Sequence, residues 1–139
     1  MKLIIRILIL TISYLAITGC KINKVENGER EGKWIHIDTI DNVVYKSIGR
    51  YKKGIEQKTW KQFSGKKLVR LEKYKDGICF TKYFHENGKV SSEGKSKMVV
   101  SEKEIHWFYT DAWKFYDENG KLIGTNIYRE GDLIEVIEN

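Results

Sequence analysis

The decapeptide WKFYDENGKL at residues 113–122 has a near copy, TKYFHENGKV, at residues 81–90 of the same chain. A third and shorter copy, WKQFSGK, occupies residues 60–66, with a loop that is two residues shorter. Each copy sets lysine and aromatic residues before a turn that contains glycine, which is the pattern of a strand entering a hairpin turn. Three copies of one unit in a chain of 139 residues predict a repeat fold.

A second repeated element, Tyr-x-x-Gly, gives the period of the repeat. The step from Gly65 to Gly88 is 23 residues, whereas the step from Gly88 to Gly120 is 32, so about nine residues are inserted within 95–106. The Tyr-x-x-Gly pairs are Tyr51 with Gly54, Tyr74 with Gly77, and Tyr128 with Gly131.

The remaining composition favours strands over helices. After residue 20 the chain is rich in Val, Ile and aromatic residues and poor in Leu and Ala, and it has no proline. We therefore predict an all-β domain over residues 28–139, built as a meander of repeated antiparallel β-hairpins. The alternative is a small closed up-and-down β-barrel with an interior ligand. The predicted two-residue loops are Asn27-Gly28, Asp76-Gly77, Asn87-Gly88 and Asn119-Gly120.

The first 20 residues differ from the rest. Lys2 and Arg6 precede a long apolar stretch, which is typical of a secretory signal peptide over residues 1–19. The segment Ile17-Thr18-Gly19-Cys20 resembles the lipobox of bacterial lipoproteins. That resemblance implies cleavage before Cys20, acylation of its thiol with palmitate or a similar chain, and a polar tether over residues 20–27. The alternative is an uncleaved membrane anchor in which Cys20 has no role.

The repeat W-K-x-[FY] with N-G-K-[LV], followed by Y-x-x-G, resembles the bacterial variant of the MORN repeat over roughly residues 28–131. The resemblance implies a β-hairpin module of just over 20 residues for each repeat. Thr81 departs from the pattern because the other copies have Trp at that position. Proteins with these repeats are often labelled antitoxin components, so the resemblance also implies an immunity protein that binds a toxin partner.

Nothing in the sequence singles out a catalytic centre. His36, His85 and His106 are far apart and lack the spacing of metal ligands, and the chain has no P-loop and no paired Cys-x-x-Cys. After cleavage Cys79 is the one thiol besides the acylated Cys20, and its position between Ile78 and Phe80 predicts a buried strand residue. We predict that the protein is not an enzyme and that it needs no metal or organic cofactor.

The expected function is a non-catalytic binding or scaffold module in the bacterial cell envelope, held to a membrane by lipid on Cys20. The net charge of +6 comes from interleaved lysines and acids, and an exported domain meets little nucleic acid, so no nucleic-acid partner is expected. The expected partner is an envelope protein or polymer, with envelope polysaccharide or anionic lipid as one alternative. The choice between the outer membrane, a periplasm-facing membrane and the cell surface stays open, as does the oligomeric state. The candidate binding residues are Trp60 with Lys61 and Trp113 with Lys114.

Overall fold

The computed structural model describes residues 21–101 and 104–139, and in them the chain forms one antiparallel sheet of ten strands in sequential order. The predicted all-β meander is therefore confirmed. The barrel alternative is wrong, because β1 pairs with β2 and β10 with β9, and these two edges do not meet in the described part of the chain. The strands are β1 Lys24–Glu26, β2 Glu29–Ile40, β3 Val43–Lys52, β4 Ile55–Ser64, β5 Lys67–Lys75, β6 Ile78–Phe84, β7 Val90–Val100, β8 Ile105–Tyr116, β9 Leu122–Arg129 and β10 Asp132–Glu138.

The turns occur at the predicted glycines, but they are of two kinds. Asn27-Gly28 and Asp76-Gly77 are two-residue loops in which both residues have positive φ, as expected. Gly88 and Gly120 also have positive φ, yet they lie in longer loops, 85–89 and 117–121, so the two-residue prediction is wrong there. In these longer loops the backbone carbonyls of His85 and Asp117 each accept a hydrogen bond from the glycine N–H three residues later.

The inserted residues lengthen one hairpin and leave the strand order unchanged. Met98 pairs with Trp107 and Val100 with Ile105, so β7 and β8 extend beyond their neighbours β6 and β9. At the other end of the chain, Lys24–Glu26 of the predicted tether forms β1 and pairs with β2. The predicted signal peptide and the lipobox residues Ile17, Thr18, Gly19 and Cys20 lie outside the described residues.

Two hairpins share a packing unit in which a Trp ring lies on a glycine. Gly49 of β3 is covered by the indole of Trp60 from β4, and Gly94 of β7 is covered by that of Trp113 from β8. In both hairpins the ladder shifts beside the glycine. The indole N–H donates to the carbonyl of the residue after the glycine, at 3.2 Å for Trp60 to Arg50 and 2.9 Å for Trp113 to Lys95. A Cβ at either glycine would overlap the ring.

The hairpin between these two explains the departure at Thr81. In β5 and β6 the equivalent cross-strand pair is Glu72 with Thr81. Glu72 occupies the position of the glycine, and Thr81, a much smaller residue, occupies the position of the Trp. Thr81 is buried and Glu72 is partly buried. The two replacements are physically consistent, since a side chain at the glycine position is tolerated only where no indole covers it.

One face of the sheet carries the core. Residues that pair across strands share a face, and side chains alternate between faces along each strand. Tyr51, Trp60, Cys79 and Trp113, the buried apolar residues, all lie on the same face, which we call the aromatic face. The rings that contact one another on this face are those of Trp34, His36, Tyr51, Trp60, Tyr74, Tyr83, Trp107, Tyr109, Trp113 and Tyr128.

The ring-on-glycine unit predicts a specific coupling between two substitutions. Trp60→Ala removes a buried indole and is expected to cost about 3–5 kcal/mol, while Gly49→Ala forces the backbone or the ring to move and is expected to cost about 1–3 kcal/mol. In the double variant the new methyl no longer meets a ring, so the total cost is less than the sum. Denaturant unfolding of the four proteins measures this cycle. Additive costs would contradict the proposed contact.

Candidate functional site

The structure separates the predicted Trp-Lys binding pairs. The rings of Trp60 and Trp113 are only 5% and 3% exposed, on the aromatic face. Lys61 and Lys114 follow them in sequence, are exposed, and point to the opposite face. Stacking of a sugar on these indoles requires rings that face water, and that condition is not met here.

The first ring cluster on the aromatic face is closely packed. The Trp60 ring centroid lies 4.9 Å from that of Tyr51 and 5.6 Å from that of His36, which also stacks on Trp34 at 5.5 Å. The Arg30 guanidinium covers this cluster, because it donates to the Tyr51 hydroxyl at 3.0 Å and lies 5.5 Å from the Trp34 ring centroid. Closely stacked rings, covered by a guanidinium that already has a hydrogen-bond partner, are typical of a packed core and not of an open binding site.

The centre of the aromatic face holds ionisable groups beneath the rings. Burial raises the pKa of Glu72, and the nearby Arg70 guanidinium, 3.7 Å away, opposes part of that effect. Burial also raises the pKa of Tyr74 well above its ordinary value and raises that of the Cys79 thiol. These shifts keep the hydroxyl and the thiol protonated at neutral pH, so Cys79 is not a thiolate nucleophile in this environment.

The three histidines are dispersed, as the sequence indicates. His36 is stacked between Trp34 and Trp60, His85 is hydrogen-bonded to the Tyr116 carbonyl at 2.8 Å, and His106 lies 2.9 Å from a Glu104 carboxylate oxygen at the surface. Within residues 21–101 and 104–139 no three His, Cys, Asp or Glu side chains converge as metal ligands.

Lys61 and Lys114 belong to a single row on the second face of the sheet. Successive cross-strand partners run from Lys61 through Leu71, Lys82 and Glu93 to Lys114, across β4 to β8. Neighbouring strands are about 4.8 Å apart, so the two lysines are separated by about 19 Å. The structure thus unites the lysines of the two candidate pairs in one row.

Two further rows extend this arrangement. Lys73, Phe80 and Lys95 are successive partners in one row, and Lys75 and Lys97 flank Ile78 in the next. We call this surface the lysine face. Its lysines are Lys61, Lys73, Lys75, Lys82, Lys95, Lys97 and Lys114.

A shallow cleft of about 350 Å³ opens at the centre of the lysine face. The Phe80 ring is 46% exposed in it, and the Lys95 ammonium lies 5.8 Å from the ring centroid. Glu93 forms an ion pair with Lys82 at 2.9 Å, and hydrogen bonds from Lys82 and then Tyr116 lower the pKa of that carboxyl. Asp111 is 3.6 Å from Lys95.

The lysines of this face outnumber its acids. Glu93 and Asp111 are the carboxylates that line the cleft, against four lysines, so a positive potential remains at the surface. The surplus ammonium groups attract anionic groups, and the exposed Phe80 ring between them offers some apolar contact. The arrangement therefore favours reversible binding of a partner that carries several negative charges.

Sequence reasoning found only the ends of the lysine face. Lys73, Lys82 and Lys95 were missed because each belongs to a different strand, and only the register brings them together. The available signal was alternation: in β5, Leu71, Lys73 and Lys75 occur at every second position, which assigns them to one face.

Comparison with known proteins identifies no relative. No protein-family model, curated protein or solved structure matches the chain. Across the described ranges the structure also has no helix that is long and apolar enough to cross a membrane.

Loss of a ring is expected to cost much more stability on the aromatic face than on the lysine face. Trp113→Ala removes a buried indole and is expected to lower the free energy of unfolding by about 3–5 kcal/mol. Phe80→Ala removes a half-exposed ring from the lysine face and is expected to cost less than about 1 kcal/mol. Thermal and urea unfolding of both variants measures the difference. Similar losses would mean that Phe80 is also a core residue.

Proposed function

We propose that this protein is a non-catalytic binding module of the bacterial cell envelope, anchored by lipid on Cys20, and that its lysine face holds an anionic macromolecule. The single observation that carries the proposal is the arrangement of seven lysines in adjacent cross-strand rows around the exposed Phe80 ring. The candidate residues Lys61 and Lys114 mark the two ends of the longest row.

The geometry favours a polymer over a small ligand. Lysines of one row, such as Lys61 and Lys82, are two strands apart and so about 9.6 Å from each other, and those two positions apart along one strand, such as Lys95 and Lys97, are separated by about 6.8 Å. A chain with a phosphate or carboxylate on each unit meets several of these ammonium groups at once. Each exposed pair contributes little, so affinity requires many contacts made together.

The position of three ionisable groups beneath the core rings supports a non-catalytic role. Glu72, Tyr74 and Cys79, whose pKa values are raised by burial, lie on the aromatic face, on the side of the sheet opposite the lysines. They are packed against core rings, and no step of a reaction at the lysine face would reach them. Their shifts follow from burial within the core.

A lipid on Cys20 would hold the sheet close to the membrane. β1 begins at Lys24, four residues after Cys20, and four extended residues span at most about 14 Å. The resemblance to lipoproteins with MORN-like repeats supports the same location. A sheet held at this distance presents its faces to polymers and proteins of the envelope.

The binding proposal is tested with two polyanions, a linear polyphosphate and polygalacturonate, and with neutral dextran. We expect the full chain in a non-ionic detergent to bind the two polyanions and not dextran. Lys73→Ala/Lys114→Ala is expected to weaken binding about tenfold at low salt. The slope of the logarithm of the binding constant against the logarithm of salt concentration is expected to fall by about two, because two contacts that release counterions are lost. Isothermal titration calorimetry at several salt concentrations gives both quantities.

The matched control is Lys66→Ala/Lys121→Ala, which removes two lysines from turns and gives the same net charge. Lys66 is exposed between β4 and β5, and Lys121 is exposed just before β9. This variant is expected to retain most of the affinity. Equal losses in the two double variants would show that total charge, and not the lysine face, determines binding, and would contradict the proposal.

The anchor is tested separately in an expressing bacterium. Mass spectrometry of the membrane fraction is expected to find an acylated N-terminal peptide that begins at Cys20. Cys20→Ala is expected to abolish cleavage and acylation, because the thiol is the group that receives the lipid. An unmodified protein that begins at Met1, or unchanged membrane attachment and processing in the variant, would contradict a lipid anchor.

A further inference from the structure

β10 is an edge strand of the sheet in the part of the chain that the structure describes. All of its residues are exposed, and it pairs with β9 alone among the described strands. An edge strand offers a row of unpaired N–H and C=O groups to any additional strand. This edge is also apolar: the exposed fractions are 50% for Leu133, 50% for Ile134, 60% for Val136 and 40% for Ile137.

The hydrogen-bonding groups that face outward follow from the ladder. The N–H of Asn139 donates to the Ile123 carbonyl at 3.2 Å, so Asn139 faces β9. In an antiparallel pair the inward groups recur at every second residue. Ile137 therefore also faces β9, while the N–H groups of Val136 and Glu138 point away from the sheet.

The opposite edge of the sheet is protected in a way that β10 is not. β1 has only three residues, and two of them form the Lys24–Glu26 ion pair. Beyond β1, the Asn23 side chain bonds to both the N–H and the carbonyl of Ile35, which satisfies part of the β2 edge. Short strands, edge lysines and side-chain caps are common ways to block strand addition. β10 has seven residues and no lysine.

The charge of the edge indicates the partner. Residues 130–139 contain four acids and no Lys or Arg, although the chain as a whole is basic. Asp132, Glu135 and Glu138 lie on β10 itself. A second copy is a poor partner, because pairing two such edges brings six carboxylates together. The free part of the β2 edge of a second copy is no better as a partner for β10, because its one charged residue, Asp38, is also acidic.

We propose that β10 accepts an added β-strand from a partner whose extended segment alternates apolar residues with Lys or Arg. The backbone of that segment would bond to the outward groups of Val136 and Glu138, which supplies affinity. Alternation places its cations on one face of the sheet, where they would lie beside Asp132 and Glu135, whose partners in β9 share a face, and this supplies selectivity. This interaction surface is distinct from the lysine face, and its partner has the opposite charge.

The test uses a fluorescent nine-residue peptide of alternating lysine and valine, with a glutamate and valine peptide as the charge control. We expect the lysine peptide to bind the full chain in a non-ionic detergent, and its affinity to fall as salt rises. Asp132→Lys/Glu135→Lys is expected to weaken this binding about tenfold, because attraction becomes repulsion on the face where the peptide lysines lie. Equal binding of the two peptides would overturn the charge argument.

Hydrogen exchange measured by NMR locates the added strand. Peptide binding is expected to protect the amides of Val136 and Glu138, while that of Ile137, already bonded within the sheet, changes little. Protection confined to the lysine face or to β2 would overturn the assignment. The variant Lys73→Ala/Lys114→Ala is expected to leave peptide binding unchanged, so failure of this proposal and failure of the proposed function are distinguishable.

The backbone contact is tested by Val136→Pro, which removes an N–H that the sheet does not use. We expect unchanged circular dichroism and loss of peptide binding of at least tenfold, while Val136→Thr retains it. If the proline variant unfolds, Val136→Lys provides a second test, since an edge lysine repels the basic peptide. The proposal would be overturned if a folded Val136→Pro or Val136→Lys protein bound the peptide with full affinity. It would also be overturned if the chain formed a dimer that these substitutions abolish.

Discussion

The contact on which the sheet depends is an indole lying on a glycine across a hairpin. A single layer of strands has no second layer to cover its core, so the aromatic face must be covered by its own side chains. Trp60 and Trp113 do this because Gly49 and Gly94 leave room for their rings beside the backbone. The indole N–H bonds to the neighbouring strand as well, so each ring contributes apolar burial and a satisfied polar group together.

This arrangement determines which face is free for partners. With the packed rings on one side, the other side carries the lysines, which alternate across the strands with Leu71, Ile78 and the exposed Phe80. The two faces therefore have different roles, although Trp60 and Lys61, or Trp113 and Lys114, are adjacent in sequence. Adjacency in a strand separates side chains, whereas adjacency across the ladder brings them together.

The same distinction explains how much could be predicted from the sequence. Repeats, glycine turns and β-branched composition predict the meander, because these signals act over a few residues. The loops at Gly88 and Gly120 are longer than the predicted two residues. The sequence does not show that the backbone carbonyls of His85 and Asp117 accept hydrogen bonds within these loops. The pairing of Glu72 with Thr81, and the rows that join Lys61 to Lys114, depend on the register of separate hairpins.

The sequential strand order has a consequence for the rate at which the chain folds. Each strand contacts the strand before it and the strand after it, so the ladder contacts join residues that are close in sequence. Sheets built from distant segments lose more chain entropy before their contacts form, and they fold slowly for that reason. This sheet can nucleate at one tight hairpin, such as that of Asp76-Gly77, and add strands outward from both sides. Its folding should therefore be fast for an all-β protein, with the edge strands among the last to form.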